Sequence, residues 1–535
     1  MFSTTSGLPW ETYFTVYSES SPGWRGFFYS SDLMRAYNAT FFHIAYLLGE
    51  ATGMRGSFIP YQIVYAALWW SRSLLIFLIV RRLVPDSGVL PFSIGALALL
   101  HSSDTLVQWI GQMHQFGYFV WLLLALYMLV LAFQQTSAGR AVSYVMLACI
   151  FEQLCLWTYE GPLFIVLAAP MVFIVLFQPQ SLKRVAALCA IWYAAPAVYL
   201  WLTFERYLHS GGHTYQEGLL RTTFTPGAIL SDWVFNVRYS LSFWAWESVE
   251  SHLYHSQVLM LTAGATLTFM VAGLWFARTE NRRWIQPTPL RDKPLLQLLG
   301  AGIIFLFLSF PAHLLLAAAR TPRRTQLLSS IAAAIVLGTT ASILAGVMRR
   351  DRWRPVLAIL FVVPIVWIGA TRTLERGGAL RRDWNINLQG MQQLLRAAPV
   401  VRDGTIVVMT NVPRQADPFF AYAFWFNLAL RLAYPQTTIA GVYYYDDNTP
   451  APADNLVLRG DRWEYTGEGI APMITSSPVN QTLVIEFDQS GTAKTLLKIP
   501  EFICHDECAG DAYDPRSRIV ARPPAPEALR RYGPL

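Results

Sequence analysis

Charge is what this sequence has least of. Of its 535 residues, 14% are Asp, Glu, Lys or Arg and 54% are hydrophobic, with a mean hydropathy of +0.34. Soluble domains carry about 25% charged residues, so an ordinary soluble protein is excluded. Cysteine is scarce as well, at 5 residues, so disulfides do not organise the chain. Cys149, Cys155 and Cys189 lie in apolar stretches and read as packing residues. Soluble-enzyme signatures are missing: there is no Gly-x-x-x-x-Gly-Lys-Ser/Thr, no His-Glu-x-x-His and no Gly-x-Ser-x-Gly. No solenoid-period repeat or low-complexity tract is present. Met1 to Trp10 has neither a basic n-region nor an apolar h-region, so no cleavable signal peptide is read there.

What the chain does have is a ladder of apolar segments between Phe58 and Thr371, each roughly one bilayer thick at about 20 helical residues. The expected spans are Phe58–Val80, Val89–Leu100, Phe116–Phe133, Val142–Trp157, Pro162–Phe177, Val185–Phe204, Gln257–Ala277, Leu296–Ala318, Leu327–Val347 and Pro355–Ala370. A long polar loop, Glu205 to His255, is expected between the sixth and seventh. Backbone groups in lipid must bond internally, so helices are the economical answer.

Basic clusters recur at alternate rungs. Placing Arg81-Arg82 in the cytoplasm puts Arg140, Lys183-Arg184, the Arg278–Lys293 loop and Arg349–Arg354 on the same side. The net charge of +7 is thereby explained by the positive-inside rule, and a nucleic-acid partner is rejected. Residues 1–57, His101–Gln115, Thr158–Gly161, Glu205–His255, Arg320–Thr325 and the tail then face the other side. Arg320, Arg323 and Arg324 break the rule in a very short loop, which calls for a functional reason. No helix precedes residues 1–57 to translocate them, so either the N-terminus crosses on its own or, the favoured expectation, an upstream helix belongs to a longer reading frame. Arg35–Leu48 has helical apolar spacing and reads as a helix lying on the outer membrane surface or buried in the outer loop.

The domains expected are 1–57, an extracytoplasmic loop with that helix; 58–371, the transmembrane part; and 372–535, a small α/β or mainly β domain. In the tail, Asn387–Ala398 reads as a short helix and Thr405–Thr410, Thr438–Tyr445 and Thr482–Phe487 as β-branched strands. Cys504-His505-Asp506-Glu507-Cys508 reads first as a local disulfide; a metal site needs more ligands than this stretch offers.

Chemistry is expected at the outer ends of the spans, because ionisable groups at membrane depth are costly and mark function. Four outer segments qualify: Trp10-Glu11-Thr12 with Asp32 and Arg35; His101 to Asp104 followed by Trp109 and His114; Tyr159-Glu160-Gly161-Pro162; and Arg320 to Arg324. A carboxylate there can act as general base on an acceptor hydroxyl. An arginine can hold a lipid phosphate by paired, charge-assisted hydrogen bonds. Together they suit sugar transfer from a lipid phosphate carrier. The plainer readings are helix caps for Asp104 and Glu160, headgroup contacts for Arg323 and Arg324, and interfacial packing for His101 and His114.

The order of these motifs resembles the polytopic GT-C glycosyltransferases, chiefly bacterial relatives of protein O-mannosyltransferases and of the tetratricopeptide-bearing transmembrane mannosyltransferases. Phe42-His43-Ile44-Ala45-Tyr46-Leu47-Leu48-Gly49 and Pro60-Tyr61-Gln62-Ile63-Val64 are similar to the family's element ahead of its second span. His101 through Trp109, then Phe119-Val120-Trp121, resembles its His-rich loop before a Trp; Tyr159-Glu160-Gly161-Pro162 and Arg324 with Leu327-Leu328-Ser329-Ser330 resemble two later elements. The family's acidic pair is matched only by Trp10-Glu11-Thr12, with one carboxylate lost.

The fold expected is therefore an α-helical polytopic membrane protein, GT-C-like with about ten spans, with a small C-terminal extracytoplasmic α/β domain, in the cell (inner) membrane. The resemblance implies a polyprenyl-phosphate sugar as donor and an acceptor that is protein, lipid or polysaccharide. The catalytic candidates are Glu11, with Asp32 as the fallback base, Asp104 and Glu160; the substrate-binding candidates are His101, Trp109, His114, Arg323 and Arg324. Membrane lipid is an expected partner. No cofactor or resident metal is required by the residues, though a divalent metal is compatible with them. The alternative is a catalytically degenerate GT-C scaffold serving as an envelope or membrane-complex subunit; a transporter fits less well, for want of a two-fold repeat.

Overall fold

The computed structural model describes residues 27, 35–85, 87–101, 111, 113–177, 181–209, 221, 224–246, 256–281, 292–316, 326–346, 353–419, 423–451, 456–466, 473–488, 490–504 and 513–533. Its contacts define two compact units. One gathers Phe27–Phe41 and Tyr65–Arg376; the other gathers Phe42–Val64 and Gly377–Leu535.

The helices in order are α1 Thr40–Ala51, α2 Ile59–Leu83, α3 Leu90–Leu100, α4 Met113–Gln134, α5 Ala138–Thr158, α6 Leu163–Phe177, α7 Leu182–His209, α8 Pro226–Trp246, α9 Ser256–Asn281, α10 Asp292–Leu308, α11 Pro311–Leu314, α12 Gln326–Gly346 and α13 Arg354–Ala397. Among the described residues, seven helical segments are long and apolar enough to cross a bilayer: Ile59–Leu83, Met113–Gln134, Ala138–Thr158, Leu182–His209, Lys293–Leu314, Gln326–Gly346 and Arg354–Leu374. Leu90–Leu100, Leu163–Phe177 and Met260–Trp275 are shorter apolar helices that fill the remaining rungs. The chain is a polytopic α-helical membrane protein with a small C-terminal α/β domain.

Contacts between helices fix the direction of the rungs in the first unit. On α2, Trp69 Nε1 donates to Leu99 O (2.9 Å) and Ser73 Oγ to Gly95 O (2.6 Å), so α2 and α3 run antiparallel. Tyr118 near the start of α4 stacks on Tyr159 just past α5, centroids 5.0 Å apart. On α7, the Ile191 and Ala195 carbonyls accept from Cys149 and Gln153 of α5, so α5 and α7 run in parallel. Trp367 of α13 donates to Thr262 of α9 (3.1 Å), while Gly273 of α9 meets Ile359, so α9 and α13 are antiparallel. The consequence is one common end of the bundle, where α3, α5, α7, α10 and α11 finish and α4, α9 and α12 begin.

Two expectations change. The loop expected over Glu205–His255 contains α8, 21 residues of helix kinked at Ser242. Asp232, Arg238 and Pro226 lower its hydropathy and hid it from a search for apolar runs. The helix expected at Asn387–Ala398 is the last part of α13: no proline lies between Thr371 and Asn387, and the Arg and Leu residues there favour a helix that runs on through Gly377-Gly378.

The second unit holds the α/β fold. Strands β1 Thr405–Val412, β2 Ile439–Tyr445, β3 Leu456–Arg459, β4 Arg462–Tyr465, β5 Ser476–Pro478, β6 Thr482–Glu486 and β7 Lys494–Thr495 form two sheets. The first has the order β2-β1-β6-β7, with β1 parallel to both neighbours and β7 antiparallel; the second is the meander β3-β4-β5. The three expected strands are its three parallel ones. Their near-continuous apolar runs follow from burial on both faces: α14, Ala423–Ala433, packs on β2 at Gly441, whereas Ile406, Val408, Val442 and Val484 join Trp463 in a core on the other side.

The close approach of α13 to the end of α3 sets the position of the residues that follow. At Gly369 a Cβ would overlap the Leu100 carbonyl oxygen, which is backbone and cannot rotate away. Gly369→Ala is therefore expected to lower the unfolding midpoint of the detergent-solubilised protein, at a cost of about 1–3 kcal/mol for forced overpacking. Gly264→Ala, with open space around it, is expected to leave the midpoint unchanged.

Candidate functional site at one end of the helical bundle

Helix α5 stops because Tyr159 turns extended, its N–H still capping the Cys155 carbonyl. The turn that follows aims Glu160 at Arg35, 125 residues away in sequence. Arg35 Nε donates to Oε2 (2.9 Å) and Nη2 to Oε1 (2.6 Å), a two-pronged ion pair. The same guanidinium lies over the Tyr159 ring, 4.6 Å from its centroid. Backbone bonding reinforces the join, with Tyr37 N–H donating to Trp157 O (3.1 Å). Burial alone would raise the Glu160 carboxyl, but the charge and hydrogen bonds of Arg35 outweigh it and hold Glu160 below the usual carboxylate range.

A second group of polar side chains runs along α8. Asp232, Asn236 and Ser240 recur every four residues, all buried, on the face turned into the bundle. Asp232 pairs with Arg221, whose N–H and Nε also donate to the carbonyls of Leu315 (3.0 Å) and Leu316 (2.9 Å). Asn236 Oδ1 accepts from Gln326 Nε2 (2.8 Å), and Ser240 Oγ meets Ser329 Oγ at 2.7 Å. Four residues along α8 thus match three along α12, so these stretches run in the same direction. His101, just past α3, donates from Nε2 to the Ser240 carbonyl (3.1 Å). Burial, with a smaller contribution from Arg72, lowers His101 to about 3, against the opposing effect of that hydrogen bond. The ring is neutral at neutral pH.

Of the sequence-predicted residues, Glu160, His101 and His114 are described and all lie at the common end. His114 is buried in the first turn of α4, its Nε2 accepting from Gln115 (3.1 Å). Glu11, Asp32, Asp104, Trp109, Arg323 and Arg324 lie outside the described residues, as does the Cys504–Cys508 pairing. Sequence reasoning gave no role to Arg221, Asp232, Asn236 or His313, and only noted Arg35. The available signal was the four-residue polar period in an otherwise apolar stretch. It also passed over two ionisable groups inside spans: Arg72, which bonds the Ala98 carbonyl and lies 5.1 Å from the Phe116 centroid, and the fully buried Glu152. Among the described residues no three His, Cys, Asp or Glu side chains converge in a metal-binding group.

Two outcomes are expected. Arg35→Glu and Glu160→Arg each lower the unfolding midpoint, and the double swap recovers part of the loss; strict additivity in this double-mutant cycle would show that the pair does not couple. Because the folded-state value of His101 lies below its ordinary 6.5, its contribution is complete above pH 6.5 and is lost as pH falls toward about 3. A pH series of thermal unfolding should therefore show a shallower acid loss in His101→Asn than in the wild type.

No family model matches the sequence, and no curated protein matches it. Among solved structures, the chain is similar to the crystal structure of an Archaeoglobus fulgidus oligosaccharyltransferase in complex with Zn and sulfate, at 14% identity and a TM-score of 0.37, over 79% of this chain and 57% of that one. The chain thus spans little more than half the length of that protein, and so distant a likeness fixes neither family nor activity.

Proposed function

We propose that this protein is a membrane glycosyltransferase that moves a sugar from a polyprenyl-phosphate carrier to an acceptor on the extracytoplasmic face of the cell membrane, with its C-terminal domain on that face. The observation that carries the reading is the gathering of two ion pairs, Arg35–Glu160 and Arg221–Asp232, at one end of a largely apolar bundle, with the neutral His101 bonded to Ser240 there. Charge is expensive at membrane depth and collects where an anionic lipid group is handled. The order of the sequence motifs supports the same reading.

In this reading Arg324, with Arg323 beside it, neutralises the carrier phosphate. Phosphate is a leaving group that needs little protonation, so positioning and charge stabilisation do most of the chemistry. Glu11 is the base that takes the acceptor proton, with Asp32 as the fallback and Asp104 close in the chain to His101. Glu160, held ionised by Arg35, is better suited to shaping the pocket than to accepting a proton. His101, Trp109 and His114 line the substrate side.

The test is to purify the protein in mild detergent and identify its lipids by mass spectrometry. A polyprenyl phosphate or its sugar conjugate should accompany the wild type and be lost from Arg324→Ala. In a reconstituted transfer assay Glu11→Gln should abolish transfer while leaving that lipid bound. Ordinary phospholipids alone in both proteins, or full transfer in both variants, would overturn the assignment.

A further inference from the structure

Helix α8 is amphipathic the wrong way round for a helix in water. Its polar residues Asp232, Asn236 and Ser240 are buried and bonded to Arg221, Gln326 and Ser329. Its outward residues include Leu230 and Val234, 61% and 54% exposed. A surface helix of a soluble protein turns its apolar stripe inward. Burying the polar stripe and exposing the apolar one is what a lipid surrounding demands, because polar atoms there must find partners within the protein.

The exposed stripe continues a surface that already belongs to the bilayer. Trp233 donates from Nε1 to the Phe307 carbonyl (3.0 Å), and its ring meets the Phe307 ring at 5.7 Å. Phe307 lies in the candidate span Lys293–Leu314, which also exposes Ile303 and Ile304. Leu230 and Val234 extend that apolar face sideways onto α8.

Direction limits how deep the helix goes. Helix α7 finishes at the common end of the bundle and α9 begins there, so the chain enters and leaves α8 on one side. Arg238, exposed one turn beyond Val234, sets a second limit. An arginine can snorkel from the upper acyl region to the headgroups, but its burial at the bilayer centre is costly.

We propose that α8 is embedded in the bilayer without crossing it, with Leu230 and Val234 in contact with lipid acyl chains at the end of the bundle where α3 and α10 finish. The partner is the acyl region of one leaflet. This holds whether or not the protein transfers sugar.

The full chain, reconstituted in liposomes of phosphatidylcholine and phosphatidylglycerol, supplies the test. The photoreactive amino acid p-benzoylphenylalanine is introduced singly at Leu230, Val234, Trp201 and Asp447. Trp201 is 70% exposed on the membrane-spanning α7 and reports lipid; Asp447 is exposed in the α/β domain. After irradiation, mass spectrometry should find acyl-chain adducts at 230 and 234 in yield comparable to 201, with background yield at 447. Background yield at 230 and 234 alongside a positive 201 would overturn the proposal, as would crosslinks at 230 and 234 to protein instead of lipid. Because both positions point outward, the substituted chains should unfold at the wild-type midpoint. A lowered midpoint at either position would place that side chain in the packed interior and overturn the proposal equally.

Discussion

A polar group placed within this bundle is costly unless another part of the same chain answers it. Water competes for hydrogen bonds in a soluble protein and makes each of them worth little. In a bilayer the alternative to a partner is an unsatisfied group, which is far worse. The arrangement along α8 follows from that constraint. Asp232 is answered by Arg221, Asn236 by Gln326, and Ser240 by Ser329 through its hydroxyl and by His101 through its carbonyl. These bonds tie α8 to the start of α12 and the end of α3, and through Arg221 to the Leu315 and Leu316 carbonyls. A change in any one displaces polar atoms that have nowhere else to go.

The same constraint explains what could be read from the sequence. Spans such as Phe116–Phe133 and Leu327–Val347 were legible because lipid imposes length and apolarity together; the helices Met113–Gln134 and Gln326–Gly346 answer to them. The parallel strands Thr405–Val412 and Ile439–Tyr445 were legible because burial on both faces leaves continuous β-branched and aromatic runs. Helix α8 was not, because its information is carried by the period of its polar residues rather than by mean hydropathy. Nor was the merging of Asn387–Ala398 into α13: charge signals the end of a membrane span but does not end a helix.

The site was legible in kind but not in pairing. A glutamate after a span and an arginine before a helix are each visible, yet nothing local says that Glu160 meets Arg35 across 125 residues. That contact depends on how α4, α5 and the segment from Arg35 to Thr40 pack. Tyr159 must stack on Tyr118, Phe41 must fit against Trp121 (5.3 Å), and Gly117 must leave room for the Phe41 ring. The pair is thus a product of packing. It works as a fastener as well as a charge: it fixes the chain around Arg35 to the turn after α5.

Arg221 ties α8 to the stretch that follows the short helix α11: its side chain pairs with Asp232, and its N–H and Nε donate to the Leu315 and Leu316 carbonyls. The Arg35–Glu160 pair fastens a different join, between the segment ahead of α1 and the turn after α5. Each pair brings together residues far apart in the chain or on different elements, so each can form only once the helices have packed. Charge at this end of the bundle therefore holds chain segments to one another, whereas at the opposite end Arg81 and Arg82 lie in the last turn of α2, where a cation suits the helix dipole.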